Sequence, residues 1–159
     1  MTQVGRRGVL VGIPGLVAGG LAGSAAGADT KAIEEAVLAV SAEMTKAGET
    51  VDADRLFSYM LDTDKVSVIQ NGVVMTTREE ALEQVRSSLR GIAAIRYDWK
   101  HQYVSVLSPE VAVLAAEGTS TATTTAGQTF STPFAQTVVF VLRDGRWRAI
   151  HAHQSAPRR

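Results

Sequence analysis

Arg143-Asp144-Gly145-Arg146-Trp147-Arg148-Ala149-Ile150-His151-Ala152-His153-Gln154-Ser155 is the stretch that decides the fold. Asp144-Gly145 is a two-residue hairpin turn, because both positions favour the positive backbone angles such turns need. The residues after it form a strand. Trp147, His151, His153 and Ser155 fall at alternating positions, and alternate residues of a strand share one face. Two of the three histidines in the chain are therefore neighbours on a single face.

The chain has 159 residues, a length suited to one domain. Its hydrophobic content of 45% supplies a full core and excludes an intrinsically disordered chain. Formal net charge is zero, with no basic run past the first residues, which argues against nucleic acid as a partner. The absence of cysteine excludes disulfides, thiolate metal sites and cysteine nucleophiles.

Residues 1–28 read as an export signal. Arg6-Arg7 precede a moderately apolar run from Gly8 to Leu21, and Ala26-Gly27-Ala28 fits a small-x-small cleavage site. The paired arginines and glycine-rich core resemble a twin-arginine signal. The run is too short and too glycine-rich for a good membrane-spanning helix, which needs about 20 mostly apolar residues. The expectation is a mature protein starting near Asp29, soluble and exported to a bacterial periplasm or the exterior, with no membrane contact after cleavage.

The remainder, 29–159, reads as a single α+β domain. Asp29 or Thr30 can cap a helix reaching Ala47, with Ile33, Val37, Val40 and Met44 as its apolar stripe. A second helix is expected from Val51 to Leu61. Asn71-Gly72 joins two short strands, Lys65–Gln70 and Val73–Met75. Thr77-Arg78-Glu79-Glu80 is a capping box that opens a third helix. Four longer strands follow: Ala94–Leu107, Val111–Thr125, Gln128–Leu142 and Arg146–Gln154.

Counting outward from the turns predicts which side chains meet. Asp144-Gly145 places Phe140 opposite Ala149, Val138 opposite His151, Gln136 opposite His153 and Phe134 opposite Ser155. Ala126-Gly127, taken as a two-residue loop, places Glu117 opposite Gln136. A three-residue loop at Ser108-Pro109-Glu110 brings His101 opposite Glu117, whereas a two-residue loop there turns the aromatic strand outward; the longer loop is preferred because Tyr97, Trp99 and Tyr103 then join the core. These registers draw a polar row, Glu117, Gln136 and His153, on the face that also carries Phe134, Val138 and Phe140, beneath the helices. Tyr97, Trp99, His101 and Tyr103 are expected on the same face.

Three readings of this row stand side by side. A carboxylate in an apolar cavity has a raised pKa and a nearby imidazole exchanges protons near neutrality, so Glu117 with His153 and His151 are candidate acid–base residues. In that reading Tyr97, Trp99, His101, Tyr103, Phe134 and Gln136 line the ligand cavity. Alternatively the row is a satisfied structural network. His151-x-His153 also has the spacing of strand metal ligands, although no second shell can be read. Ser155 lacks the elbow motif of a nucleophile. No motif requires a metal or cofactor.

The order of two helices, a short hairpin, a helix and a four-strand meander is similar to the nuclear-transport-factor-2-like superfamily, which includes ketosteroid isomerase and the SnoaL-like polyketide cyclases. Asp144-Gly145-Arg146-Trp147 and Ile150–Pro157 also resemble the end of the association domain of calcium/calmodulin-dependent kinase, which has one more residue between Ser and Pro. The topology match covers nearly all of 29–157, and the motif match covers about 143–157. The resemblance implies a conical, cystatin-like α+β fold in which three helices pack on a curved antiparallel sheet around a concave pocket. It implies a small hydrophobic or amphipathic ligand and a homodimer or larger assembly. It does not select among isomerase, cyclase, dehydratase and non-catalytic binder.

Overall fold

The computed structural model describes residues 22–157, so most of the expected export signal lies outside the described residues. Helix α1 spans Ala22–Glu49 and α2 spans Ala53–Phe57. Strands β1, Ser67–Gln70, and β2, Val73–Met75, form a hairpin. Helix α3 spans Arg78–Leu89. Strands β3 (Ile92–Ser108), β4 (Val111–Thr124), β5 (Thr129–Arg143) and β6 (Arg146–Ser155) complete the chain. The six strands form one sheet ordered β2-β1-β6-β5-β4-β3. Every pairing is antiparallel except β1 with β6.

Local chemistry sets most boundaries. Asn71 (φ 53) and Gly72 (φ 79) both adopt the left-handed conformation required by a tight hairpin. Thr77 Oγ1 accepts the Glu80 N–H at 3.2 Å, and Glu80 Oε2 accepts the Thr76 N–H at 3.1 Å, so α3 is capped from both sides. Two helix expectations change. Helix α1 does not begin at Asp29 but continues from Ala22, through an alanine-rich stretch that favours helix. Helix α2 stops at Phe57 because the backbone beyond it is recruited by the sheet. Ala149 N–H donates to Tyr59 O at 3.0 Å, and Leu61 N–H donates to Ala149 O at 2.8 Å.

The core lies between the helices and one face of the sheet, here called the inner face. Phe140, Leu114, Ala112, Val138 and Ala149 from the sheet meet Val37 of α1, Phe57 of α2 and Ala81 of α3.

Three register features separate this sheet from the one counted out of the turns. The β4–β5 hairpin pairs Thr123 with Thr129, one residue away from a two-residue loop at Ala126-Gly127. Gly127 takes φ 81 inside this longer turn. Glu117 therefore pairs with Ala135, and it is Ala116 that meets Gln136. In β6, Phe140 pairs with Ala149 as expected, but Val139 then pairs with His151, leaving Ile150 as an extra residue. In β3, Trp99 pairs with Gly118 and His101 with Glu117, leaving Lys100 extra. Each feature is a one-residue offset, and one residue exchanges the two faces of a pleated strand.

Gly118 holds the β3 bulge. A Cβ added there would lie 2.5 Å from Asp98 O and 3.1 Å from Trp99 Cα, closer than the strands can tolerate. Gly118→Ala is expected to destabilise the fold by about 1–3 kcal/mol through overpacking. Urea unfolding of the two proteins measures this, and an unchanged midpoint would remove the bulge's dependence on glycine.

Candidate functional site

The offsets sort the nine candidate residues onto opposite sides of the sheet. On the inner face lie Tyr97, Trp99, Phe134 and Gln136, as expected. Glu117, His101, Tyr103, His151 and His153 lie on the outer face, away from the helices. The expected row of Glu117, Gln136 and His153 therefore does not form. Gln136 meets Gln154, while His153 meets Thr137. The pairing of His101 with Glu117 does form, but outside the core.

The inner group is an aromatic wall. The Tyr97 and Trp99 rings stack at 5.9 Å with a 12° interplanar angle. Phe134 meets them edge-on, at 5.8 Å from Tyr97 and 5.1 Å from Trp99. Helix α1 fixes this wall. Trp99 Nε1–H donates to Thr45 Oγ1 at 3.3 Å, Tyr97 N–H donates to Glu49 Oε1 at 3.1 Å, and the Tyr97 ring packs on Gly48. Burial, and then the nearby Glu49 charge, push the Tyr97 phenol above its ordinary value, so its hydroxyl keeps its proton.

Beside the wall runs a row of amides. Gln70 Nε2–H donates to Gln154 Oε1 at 2.9 Å, and Gln154 Nε2–H donates to Gln136 Oε1 at 3.3 Å. Gln70 Oε1 is buried and accepts nothing. A buried carbonyl oxygen without a donor costs about 1–3 kcal/mol of lost hydration. Gln70 and Gln154 were not among the sequence candidates. Their meeting depends on the parallel β1–β6 pairing of residues far apart in sequence, which no local pattern announces.

The outer group is polar and open. Glu117 Oε1 lies 3.6 Å from Lys100 Nζ and 3.7 Å from His101 Nε2, and the carboxylate side chain is 49% exposed. His101 stacks on Tyr103 with ring centroids 5.8 Å apart. His151 Nδ1 is 2.8 Å from Ser67 Oγ, which ties it into the β1–β6 pairing. His153 pairs with Ile69 on one side and Thr137 on the other. Glu117 and His153 are two strands and one row apart, on the order of 10 Å between backbones, beyond direct hydrogen bonding. Two adjoining hollows mark this face. One of about 250 Å³ includes Tyr103, Glu117 and His153, and one of about 520 Å³ includes Lys100, Glu117 and Pro157. Among the described residues no three His, Asp or Glu side chains converge in a metal-binding group.

The sign of the Tyr97 effect gives a test. A phenol whose folded pKa is raised contributes stability that is complete below its ordinary value of 10.0 and is lost as pH rises through the folded value. Tyr97→Phe should therefore lose less stability than the parent above about pH 10. Urea midpoints of both proteins at neutral and alkaline pH check this, and parallel pH profiles would refute it.

A family model for the SnoaL-like domain matches residues 37–159. A protein from Streptomyces avermitilis described as a dehydratase of the NTF2-like family superposes with TM-score 0.72 at 19% identity, covering 81% of this chain and 99% of that one. An NTF2-like superfamily protein from Salmonella enterica gives TM-score 0.74 at 16% identity, over 82% and 94%. A Xanthomonas campestris protein described as a calcium/calmodulin-dependent kinase II association domain gives TM-score 0.67 at 22% identity, over 76% and 85%. The search of curated proteins gave no match. At these identities the structural likenesses carry the fold, and the family match covers most of the sequence. The chain belongs to the SnoaL-like domain family, with the NTF2-like α+β fold.

Proposed function

We propose that this chain is an exported SnoaL-like domain that binds a small amphipathic molecule on the inner face of its sheet, without turnover. The observation that carries this reading is the buried, undonated Gln70 Oε1 at the end of an amide row beside Tyr97, Trp99 and Phe134. Such a wall offers a flat apolar surface to a ring or short chain. The amide row offers one acceptor to a hydroxyl or amine at the other end of the same molecule. A few convergent polar groups on an apolar wall are the usual composition of a small-molecule site.

Binding is favoured over acid–base catalysis for a physical reason. An isomerase, cyclase or dehydratase step by Glu117 with His153 or His151 needs the carboxylate desolvated and the partners within reach. Glu117 is half exposed and faces the opposite side of the sheet, and His151 is held by Ser67. On the inner face the wall contributes Tyr97 as a protonated donor, not as a base. The export part of the proposal rests on Arg6-Arg7, the glycine-rich run and Ala26-Gly27-Ala28.

Native mass spectrometry of the protein purified from its host tests the binding reading. A non-covalent adduct is expected, and Gln70→Leu and Phe134→Ala should each lower the retained fraction at least tenfold, about 1.4 kcal/mol. Glu117→Gln should leave it unchanged. Loss of the adduct in Glu117→Gln alone would move the site to the outer face. For export, Arg6→Lys with Arg7→Lys should leave the protein in the cytoplasmic fraction, and undiminished export would dismiss the twin-arginine reading.

A further inference from the structure

We propose that the ligand of the inner face is a cation: an aromatic ring on a short chain that ends in a protonated amine. This assignment rests on the inner-face binding reading and supplies the charge which that reading leaves open. The direction of the amide row places the amine. Gln70 donates to Gln154 and Gln154 donates to Gln136, so the three amide dipoles run head to tail. An amide that donates a hydrogen bond becomes a stronger acceptor at its own oxygen, because bonds in a chain polarise one another. Gln70 Oε1, buried and without a donor, is the negative end of that chain. A protonated amine is the donor such an oxygen takes best, since a charge-assisted hydrogen bond is roughly twice as strong as a neutral one.

The distribution of charge around the site points to the same sign. Glu49 brings a carboxylate to the wall, where its Oε1 accepts the Tyr97 N–H at 3.1 Å. Positive charge lies elsewhere. Lys46, Arg55, Arg86 and Arg90 each meet a carboxylate on the exposed side of the helices. Arg96 and Lys100 are on the outer side of the sheet with Asp98 and Glu117. Arg78 reaches the core, but its Nη2–H donates to Phe57 O at 3.0 Å. Phe57 precedes the segment bonded to Ala149, which lies on the order of 16 Å along β6 from Gln154. Among the described residues the wall and the amide row therefore have a carboxylate beside them and no cation. An anionic ligand would lose its hydration there without gaining a partner. The spacing fits the proposed shape. Gln70 stands two strands from Gln136, and Phe134 is the next residue of β5 on the same face, so the two ends are on the order of 12 Å apart between backbones.

Isothermal titration of the dialysed protein at neutral pH with phenylbutylamine, phenylbutanol and phenylbutanoate is the test. The three probes share one skeleton and differ in charge. The amine should bind at least about tenfold tighter than the alcohol, and the carboxylate weakest of all. Gln70→Leu should remove the amine's advantage. Glu49→Gln keeps an acceptor for the Tyr97 N–H and removes only the charge, so it should weaken the amine roughly threefold and leave the alcohol unchanged. Far-UV circular dichroism confirms that each variant folds, and Glu49→Gln carries the test if Gln70→Leu does not. An alcohol that binds as tightly as the amine, with both weakened by Phe134→Ala, overturns the charge and leaves the inner-face reading standing. Tighter binding of phenylbutanoate overturns the charge as well. So does a parent protein that takes up none of the three at millimolar concentration. Binding of all three that ignores both Gln70→Leu and Phe134→Ala overturns the inner-face reading itself.

Discussion

Side chains of a strand alternate between two faces with a period of two, so every residue beyond a single inserted one changes sides. This constraint governs the molecule. Lys100 and Ile150 are such insertions, and the longer turn around Gly127 acts as a third. Without them Glu117, His101 and His153 would lie under the helices and take a desolvation cost for each charged form. With them the ionisable groups pass to the outer side, and the core receives Ala112, Leu114 and Ala116 instead. The bulge at Lys100 leaves Tyr97 and Trp99 inward while turning His101 and Tyr103 outward on the same strand. Gly118 makes room for that bulge by presenting no side chain to Asp98.

The two faces then differ in chemistry. Beside the Glu49 carboxylate, the inner face carries mostly neutral donors and acceptors: a protonated phenol, an indole held by Thr45 and three amides. On the proposed binding reading, such a surface selects a ligand by shape and hydrogen-bond pattern. The outer face carries the paired ions and the exposed Tyr103 and Leu107. The histidines, conspicuous in sequence, belong on this account to the outer surface and to the β1–β6 joint, where Ser67 meets His151.

The fold was legible because its signals are local. Asn71-Gly72, Asp144-Gly145 and the capping box at Thr77 each specify a turn or a helix start by nearest-neighbour chemistry, and the structure keeps all three. The family resemblance in the last strand followed from the same residues. The inward aromatic wall, Tyr97, Trp99 and Phe134, was legible for a similar reason, since alternation holds up to Trp99. What failed was counting across interruptions. Val139 opposite His151, in place of Val138, is invisible to periodicity because Ile150 suits a strand whether paired or bulged. The amide row was missed because Gln70 reaches Gln154 only through a parallel pairing between segments more than eighty residues apart.

The measurement that bears most directly on the account is the cross-strand NOE pattern of the sheet in solution. Short contacts between opposed backbone protons report register one residue at a time. The account predicts contacts linking Glu117 with Ala135, Thr137 with His153 and Val139 with His151. Contacts linking Glu117 with Gln136, Gln136 with His153 and Val138 with His151 would contradict it. They would return the acidic and histidine side chains to the inner face and restore the acid–base pair to the core.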